Sequence, residues 1–216
     1  MKFDQFKKLI DPIQQIGPIG EKAHEVVFPE IAKFRKKSLA LNPNPRLSAV
    51  GAIFIPKEED THIVLIERQS YKGVHSGQIG FPGGKVEHDD RDFEYTARRE
   101  TEEEVGIQSE KLVKIGQLTE LYIPPSRFLV KPYLFMLDYT PQLVAQPREV
   151  KSILSLPVEV LMRPEIVVEG EVPTSNGVQL HSKYIPLEGK KIWGATAMML
   201  SELQILLHRA IKTQHG

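Results

Sequence analysis

The sequence predicts an α/β domain built on a mixed sheet, and three observations lead there. Short apolar runs bounded by turns begin near residue 46 and recur through the middle of the chain. One helical pattern, starting near Asp90 or Asp92 and ending near Gly106, stands among them, and a second, strongly apolar one comes near the end. Helices before, between and after a set of strands are what covers both faces of a sheet. With 216 residues, 41% of them hydrophobic, the chain is long enough to bury a substantial core.

Taken in order, residues 1–45 read as a helical extension and residues 46–216 as the main domain. Phe3, Phe6 and Ile10 recur at helical spacing, Pro12 and the glycines of GPIG punctuate, and a second helix is expected through EKAHEVVFPEIAKF. The two Asn-Pro steps of LNPNPR, residues 41 to 46, cannot continue a helix and mark a linker. LSAVGAIFIP and THIVLIER then read as strands around the charged turn KEED. SYKGVHSGQIGFPGGK holds five glycines and a proline, too many for a regular element. The acidic helix follows, with Asp90 or Asp92 as its N-cap and Gly106 as the glycine that ends it. Further strands are expected at LVKIGQLTELYI, FLVKPYLFML, EIVVEG and VQLHSKYIPL. In the last helix, TAMMLSELQILLHRAI, Met198, Leu200, Leu203, Leu206 and Leu207 fall at core spacing.

Composition excludes several classes of function. Lys plus Arg equals Asp plus Glu at 28 each, so no global field draws the chain to nucleic acid or to an anionic membrane. An anionic ligand must therefore be held by local positive charge or by a metal. The absence of cysteine removes disulfides and thiolate metal sites. No run approaches the roughly 18 apolar residues of a membrane span, and the first residues lack the apolar stretch of a signal peptide, so a cytoplasmic protein is expected. Seven histidines without HxxH or HxxxH spacing speak against zinc, and no P-loop or Ser-His-Asp order is present.

The stretch RRETEEEVG, residues 98 to 106, concentrates four glutamates in five positions. At about 100° per residue, Phe93, Ala97, Thr101 and Val105 form the stripe expected to be buried. Glu100 and Glu104 lie about 40° apart at that stripe, and Glu103 sits roughly 60° from Glu100. Glu102 points away beside Arg98 and reads as surface charge. A solvated helix with i,i+4 ion pairs explains Glu102 with Arg98 and, in part, Glu103 with Arg99. It leaves the like-charged pair Glu100 and Glu104 unexplained, since such a pair costs a few tenths of a kcal/mol even when exposed. Three carboxylates on one face suit a hard cation such as Mg²⁺, which takes oxygen ligands and is completed by water and phosphates. Arg99 is placed to orient Glu103, and the glycines of FPGGK let backbone approach the metal or a phosphate.

The stretch GGKVEHDDRDFEYTARRETEEEVGI resembles the Nudix box. Gly84, Asp90, Arg99, Glu100, Glu103, Glu104, Gly106 and Ile107 match its pattern. Three departures are visible: the interval from Gly84 to Arg99 is one residue longer than the common form, Asp90 replaces Glu, and Thr101 stands where an apolar residue is usual. The longer interval is similar to the coenzyme A pyrophosphatase branch. LIERQSYKGVHSGQIGFPGG resembles the second signature of that branch at Arg68, Gly77 and Phe81 to Gly84, but has Gln69 at its small position and Gly73 in place of its second Arg. Lys72 is a candidate for the missing charge. IPPSRFLVKP and IWGATAMML carry the likeness on to about residue 210.

The resemblance implies a Nudix α/β/α sandwich with a mixed sheet, preceded by the N-terminal helical extension. It implies hydrolysis of a nucleoside diphosphate linked to another group, with Mg²⁺ or Mn²⁺ as cofactor. Glu100, Glu103 and Glu104, with the Gly84 carbonyl, would hold metal. Glu103 is the first choice for base, Glu149 the reserve, and Arg99 the supporting residue. Arg68, Lys72, His75, Phe81 and Lys131 are candidates for substrate contacts, as is Arg127. Trp193 and Tyr184 could stack on an adenine, though such residues more often pack in a core. The expected partner is a small nucleotide of the coenzyme A type. ADP-ribose or a dinucleotide is the rival substrate, and a silent nucleotide-binding module the rival class. Residues 1–45 could cap the domain, mediate a homodimer or shape the substrate mouth.

Overall fold

A computed structural model describes residues 1–25, 38–42, 44–70, 76–174 and 177–215. Its elements are α1 (Phe3–Lys7), α2 (Ile10–Ile16), α3 (Lys22–Glu25), β1 (Arg46–Lys57), β2 (Asp60–Arg68), β3 (Ile79–Gly80) and β4 (Gly83–Lys85). There follow α4 (Phe93–Val105), β5 (Val113–Gln117), β6 (Leu121–Ile123), β7 (Phe128–Met136), β8 (Val150–Pro157) and α5 (Val158–Leu161). The chain closes with β9 (Val168–Pro173), β10 (Gln179–Leu187), β11 (Lys190–Trp193) and α6 (Gly194–His215).

The main sheet runs β3-β2-β1-β7-β5, with β8 also on β2, β4 on β1 and β6 on β7. β1 and β7 are parallel, from Arg46 opposite Phe128 to Phe54 opposite Met136. β1 is antiparallel to β2 and β4, so the sheet is mixed. Period-two alternation divides its side chains between two cores. Ile53, Ile55, Val64, Ile66, Tyr133 and Phe135 face α4 through Ala97 and Val105. Ala52, Phe54, Ile63, Leu65, Leu134 and Met136 face α1, α2 and α6. The result is helix, sheet and helix in three layers. A second, antiparallel sheet, β9-β10-β11, leads into α6.

The N-terminal helices belong to the second of these cores. Phe6 is fully buried and stacks on Phe54 with ring centroids 4.4 Å apart. Glu202 of α6, also fully buried, accepts hydrogen bonds from the Ile19 amide at 3.0 Å, the Thr119 hydroxyl at 2.6 Å and His24 Nε2 at 2.8 Å. That carboxylate ties the N-terminal segment, the β5–β6 connection and the last helix into one junction.

Several sequence expectations are corrected. The first helical pattern breaks at Leu9 into α1 and α2, and Pro12 lies inside the first turn of α2, where a missing N–H costs nothing. Of the second helix only Lys22–Glu25 is described, since residues 26–37 lie outside the described residues. The glycine-rich stretch contributes two short strands, because β4 finds partners on β1 (Ala49 opposite Gly84, Val50 opposite Gly83) that composition does not reveal. LVKIGQLTELYI divides into β5 and β6, each pairing with a different part of β7. β8 and β11 were not anticipated; β8 is recognised only by its neighbour β2, against which Leu154 and Leu156 are buried. Among the described residues no helix is long and apolar enough to cross a membrane.

Candidate active site

Both aspartates before α4 are used, for different purposes. Asp92 is the N-cap, its carboxylate accepting the Tyr95 amide at 2.7 Å. Asp90 accepts the Glu87 amide at 2.9 Å, the Thr96 hydroxyl at 2.8 Å, and Arg99 through Nε at 2.9 Å and Nη2 at 3.0 Å. Hydrogen bonds from Arg99 above all hold the Asp90 carboxyl down at about 2, although burial opposes this. Gly106 ends the helix in the left-handed region at φ 74°. Ala97, Thr101 and Val105 are fully buried. Thr101 is tolerated in that stripe because its hydroxyl donates to the Ala97 carbonyl one turn back, at 2.7 Å.

The expected surface pairing of Glu102 with Arg98 is not the one observed. Arg98 pairs with Glu94 at 2.8 Å, and Glu102 accepts the Ser109 amide at 3.1 Å. The i−4 partner of Arg98 is held in place by Lys114 at 2.9 Å, which draws the arginine toward the N-terminal end of the helix.

Glu104 and Glu100 meet the glycine pair, and Glu103 is tied to Glu100 through Arg99. Glu104 is 1% exposed; it accepts the Gly83 amide at 2.8 Å and Arg68 at 3.1 Å. Arg68 also donates to the Gly83 carbonyl at 2.7 Å, so carboxylate, guanidinium and peptide lock one another. Glu100 is buried and Glu103 exposed, and Arg99 Nη1 donates to both, at 3.0 and 3.1 Å. Gly84 lies directly under Glu100: a methyl group on residue 84 would overlap that carboxylate. Burial pushes the Glu104 carboxyl up to about 7, against the opposing influence of Arg68 and the Gly83 amide. Burial also raises Glu100, with Glu103 and Glu149 adding repulsion and Arg99 opposing.

On the far side of the glycine pair lies a cavity of about 510 Å³. Arg68, Phe81 and Gly84, three of the sequence candidates, line it. Glu149 is exposed and close enough for its charge to raise both Glu100 and Glu104. Lys131 is not in the cavity; it pairs with Glu120 at 2.9 Å and sits over the Phe93 ring, toward the α4 face of the sheet. Lys72 and His75 lie outside the described residues. Trp193 lines the cavity, while Tyr184, its cross-strand partner, is covered by Lys191. Arg46 and Lys85 also line the cavity and escaped the sequence reading. Lys85 follows the glycine pair directly, which was a usable hint; nothing in the sequence marks Arg46.

The donor set fits a hard divalent cation in its chemistry. It consists of oxygens alone, and two of its three carboxylates are buried and made more basic by burial and by their neighbours, a strain that an added cation relieves. Among the described residues, no three acidic or histidine side chains already meet as a ready ligand set, and Arg99 holds Glu100 and Glu103.

Comparison with known proteins bears on the family of the chain. The NUDIX domain pattern matches residues 45–173. Nudix hydrolase 15, mitochondrial, of Arabidopsis thaliana is 30% identical over 189 residues, covering 84% of this chain, which spans 65% of that protein's length. An uncharacterized Nudix hydrolase, NudL, of Photorhabdus laumondii is 32% identical over 164 residues, 76% of this chain and 86% of that one. Among solved structures, a MutT/nudix family protein from Enterococcus faecalis superposes with a TM-score of 0.51 at 17% identity, over 78% of this chain and 63% of that one. With an acidic helix, a glycine pair against it and a matching domain pattern over more than half its length, this chain belongs to the Nudix family of hydrolases.

Proposed function

We propose that the protein hydrolyses the pyrophosphate bond of coenzyme A or its derivatives in a metal-dependent reaction, giving 3′,5′-ADP and 4′-phosphopantetheine. The observation that carries the hydrolytic part is the setting of Glu104 on Gly83 and of Glu100 on Gly84, with Glu103 joined to Glu100 through Arg99 and a cavity opening on the other side of that backbone. The coenzyme A assignment rests on the likeness of Arg68 and Phe81 to Gly84 to the second signature of that branch.

In this reading Glu100, Glu103 and Glu104, with the Gly84 carbonyl, would hold Mg²⁺ or Mn²⁺. When bound, the cation would neutralise charge on the phosphate oxygens and make a water more acidic. Water oxygen attacks one phosphorus, the bridging P–O bond breaks, and the departing phosphate leaves with the electron pair. Glu103, exposed and held by Arg99, accepts the proton of the attacking water; Glu149 is the reserve for this role. Arg99 fixes Glu100 and Glu103 from its anchor on Asp90. Arg68 orients Glu104 and presents its remaining N–H groups to the cavity, with Phe81 as an apolar wall. We read the described N-terminal residues 1–25 as an extension that caps the second core, from the packing of Phe3 and Phe6 in it.

One observation favours a different nucleotide. Gln69, in place of a small residue, is tied to the Pro147 carbonyl at 3.0 Å and brings no charge to the substrate. ADP-ribose and NADH are therefore the rivals. Purified protein is incubated with coenzyme A, ADP-ribose and NADH in Mg²⁺ or Mn²⁺, and products are separated by chromatography. Preferential release of 3′,5′-ADP and 4′-phosphopantetheine is expected; cleavage of only another dinucleotide would replace the substrate and keep the metal helix.

A further inference from the structure

We propose that Arg46 and Lys85 form a phosphate clamp on the cavity side of the sheet, which receives a phosphomonoester carried by the nucleoside part of the substrate in addition to its diphosphate. The inference deepens the reading above and rests on its placement of the scissile diphosphate at Glu100, Glu103 and Glu104.

Strand register brings the two cations together. Ser48 is directly opposite Lys85 in the antiparallel β1–β4 pair, so their side chains share a face. Arg46, two residues before Ser48, is on that same face by the alternation of the strand. All three line the cavity. Gly84, one position from Lys85, faces the opposite way, toward Glu100. The same short strand thus presents a cation to the cavity and a bare backbone to the carboxylates.

Charge balance separates these two residues from their neighbours. Arg68, Arg98, Arg99, Lys114 and Lys131 each pair with a carboxylate within 3.1 Å. Among the described residues Arg46 and Lys85 have no such partner. An exposed cation is ordinary by itself; two unpaired ones on one face of a cavity that Phe81, Ile123, Val130 and Met199 also line are a concentrated positive site. Arg46 is also fixed in position. Its guanidinium lies over the Phe128 ring at 4.2 Å, and Phe128 is its register partner on β7. A guanidinium anchored over a ring in this way keeps N–H donors for phosphate oxygens.

Ala49 is opposite Gly84, and Arg46 lies three residues back along β1, about 10 Å away. Arg46 is thus displaced along the strand from the glycine pair, and with Lys85 it extends the positive wall of the cavity, where the second phosphate of the substrate is assigned.

The test is calorimetric binding of 3′,5′-ADP and 5′-AMP to the full chain in Mg²⁺, for the wild type, Arg46→Gln, Lys85→Gln and the double variant. The two nucleotides differ only by the phosphomonoester. The wild type is expected to bind 3′,5′-ADP at least about tenfold more tightly, each single variant to lose most of that preference, and the double variant to abolish it. Affinity for 5′-AMP should change less than about threefold, which also shows that the variants are folded. Equal binding of both nucleotides by the wild type, or a preference that survives the double substitution, would overturn the clamp. Binding does not require turnover: a preserved preference without hydrolysis of coenzyme A would remove the proposed activity and keep the clamp, and hydrolysis without the preference would do the reverse.

Discussion

The Glu100 carboxylate rests on Gly84, in the space that the β-carbon of any other residue would fill. The far end of a glutamate can swing aside at small cost to the fold, so a methyl group at 84 displaces the carboxylate while leaving the sheet intact. Gly84→Ala is predicted to lower turnover by about 100-fold while the melting temperature changes little, since catalytic groups tolerate shifts of an ångström poorly. Kinetics beside a thermal melt checks both halves.

Asp90 and Arg99 give a pH-dependent prediction. Asp90 is held at about 2 in the folded chain, mainly by Arg99, against an ordinary value of 3.8. A depressed carboxylate stabilises the fold above its unfolded pKa, and that contribution is lost as pH falls from about 4 through 2. Asp90→Asn should cost on the order of 2 kcal/mol at neutral pH. Denaturation curves of wild type and variant should converge as pH approaches 2, and a constant gap down to that pH would reject the assignment.

Glu202 tests the junction between the chain's two ends. Removing it strands the buried His24 and takes the acceptor from the half-buried donors of Ile19 and Thr119. Glu202→Ala should cost about 3–5 kcal/mol, measured as a shift in denaturant midpoint. Glu202→Gln, which keeps one acceptor oxygen, should recover part of the loss.

Much of this arrangement could be read from the sequence where local rules act. The Phe93, Ala97, Thr101 and Val105 stripe, the cap at Asp92 and the glycine at 106 are all set by helix geometry, and α4 follows them. β1, β2 and β7 are long and apolar enough to announce themselves. What escaped depends on contacts distant in sequence. β4 is a strand because β1 lies beside it, and β8 because β2 does. Arg98 chose Glu94 over Glu102 because Lys114, on another element, holds that glutamate. Arg46 meets the cavity through a register with β4 and β7 that no local pattern encodes. Trp193 had the composition of a core residue, and only the fold puts it on the cavity wall.

The most direct test of the central claim is turnover by Glu103→Gln. Its side chain is 56% exposed and among the described residues is held only by Arg99, so the substitution should leave the melting temperature unchanged. Loss of the proton acceptor should lower hydrolysis of coenzyme A, or of whichever nucleotide the wild type cleaves, by about 10³-fold. A folded Glu103→Gln protein with ordinary activity would contradict the assignment of the chemistry to this residue.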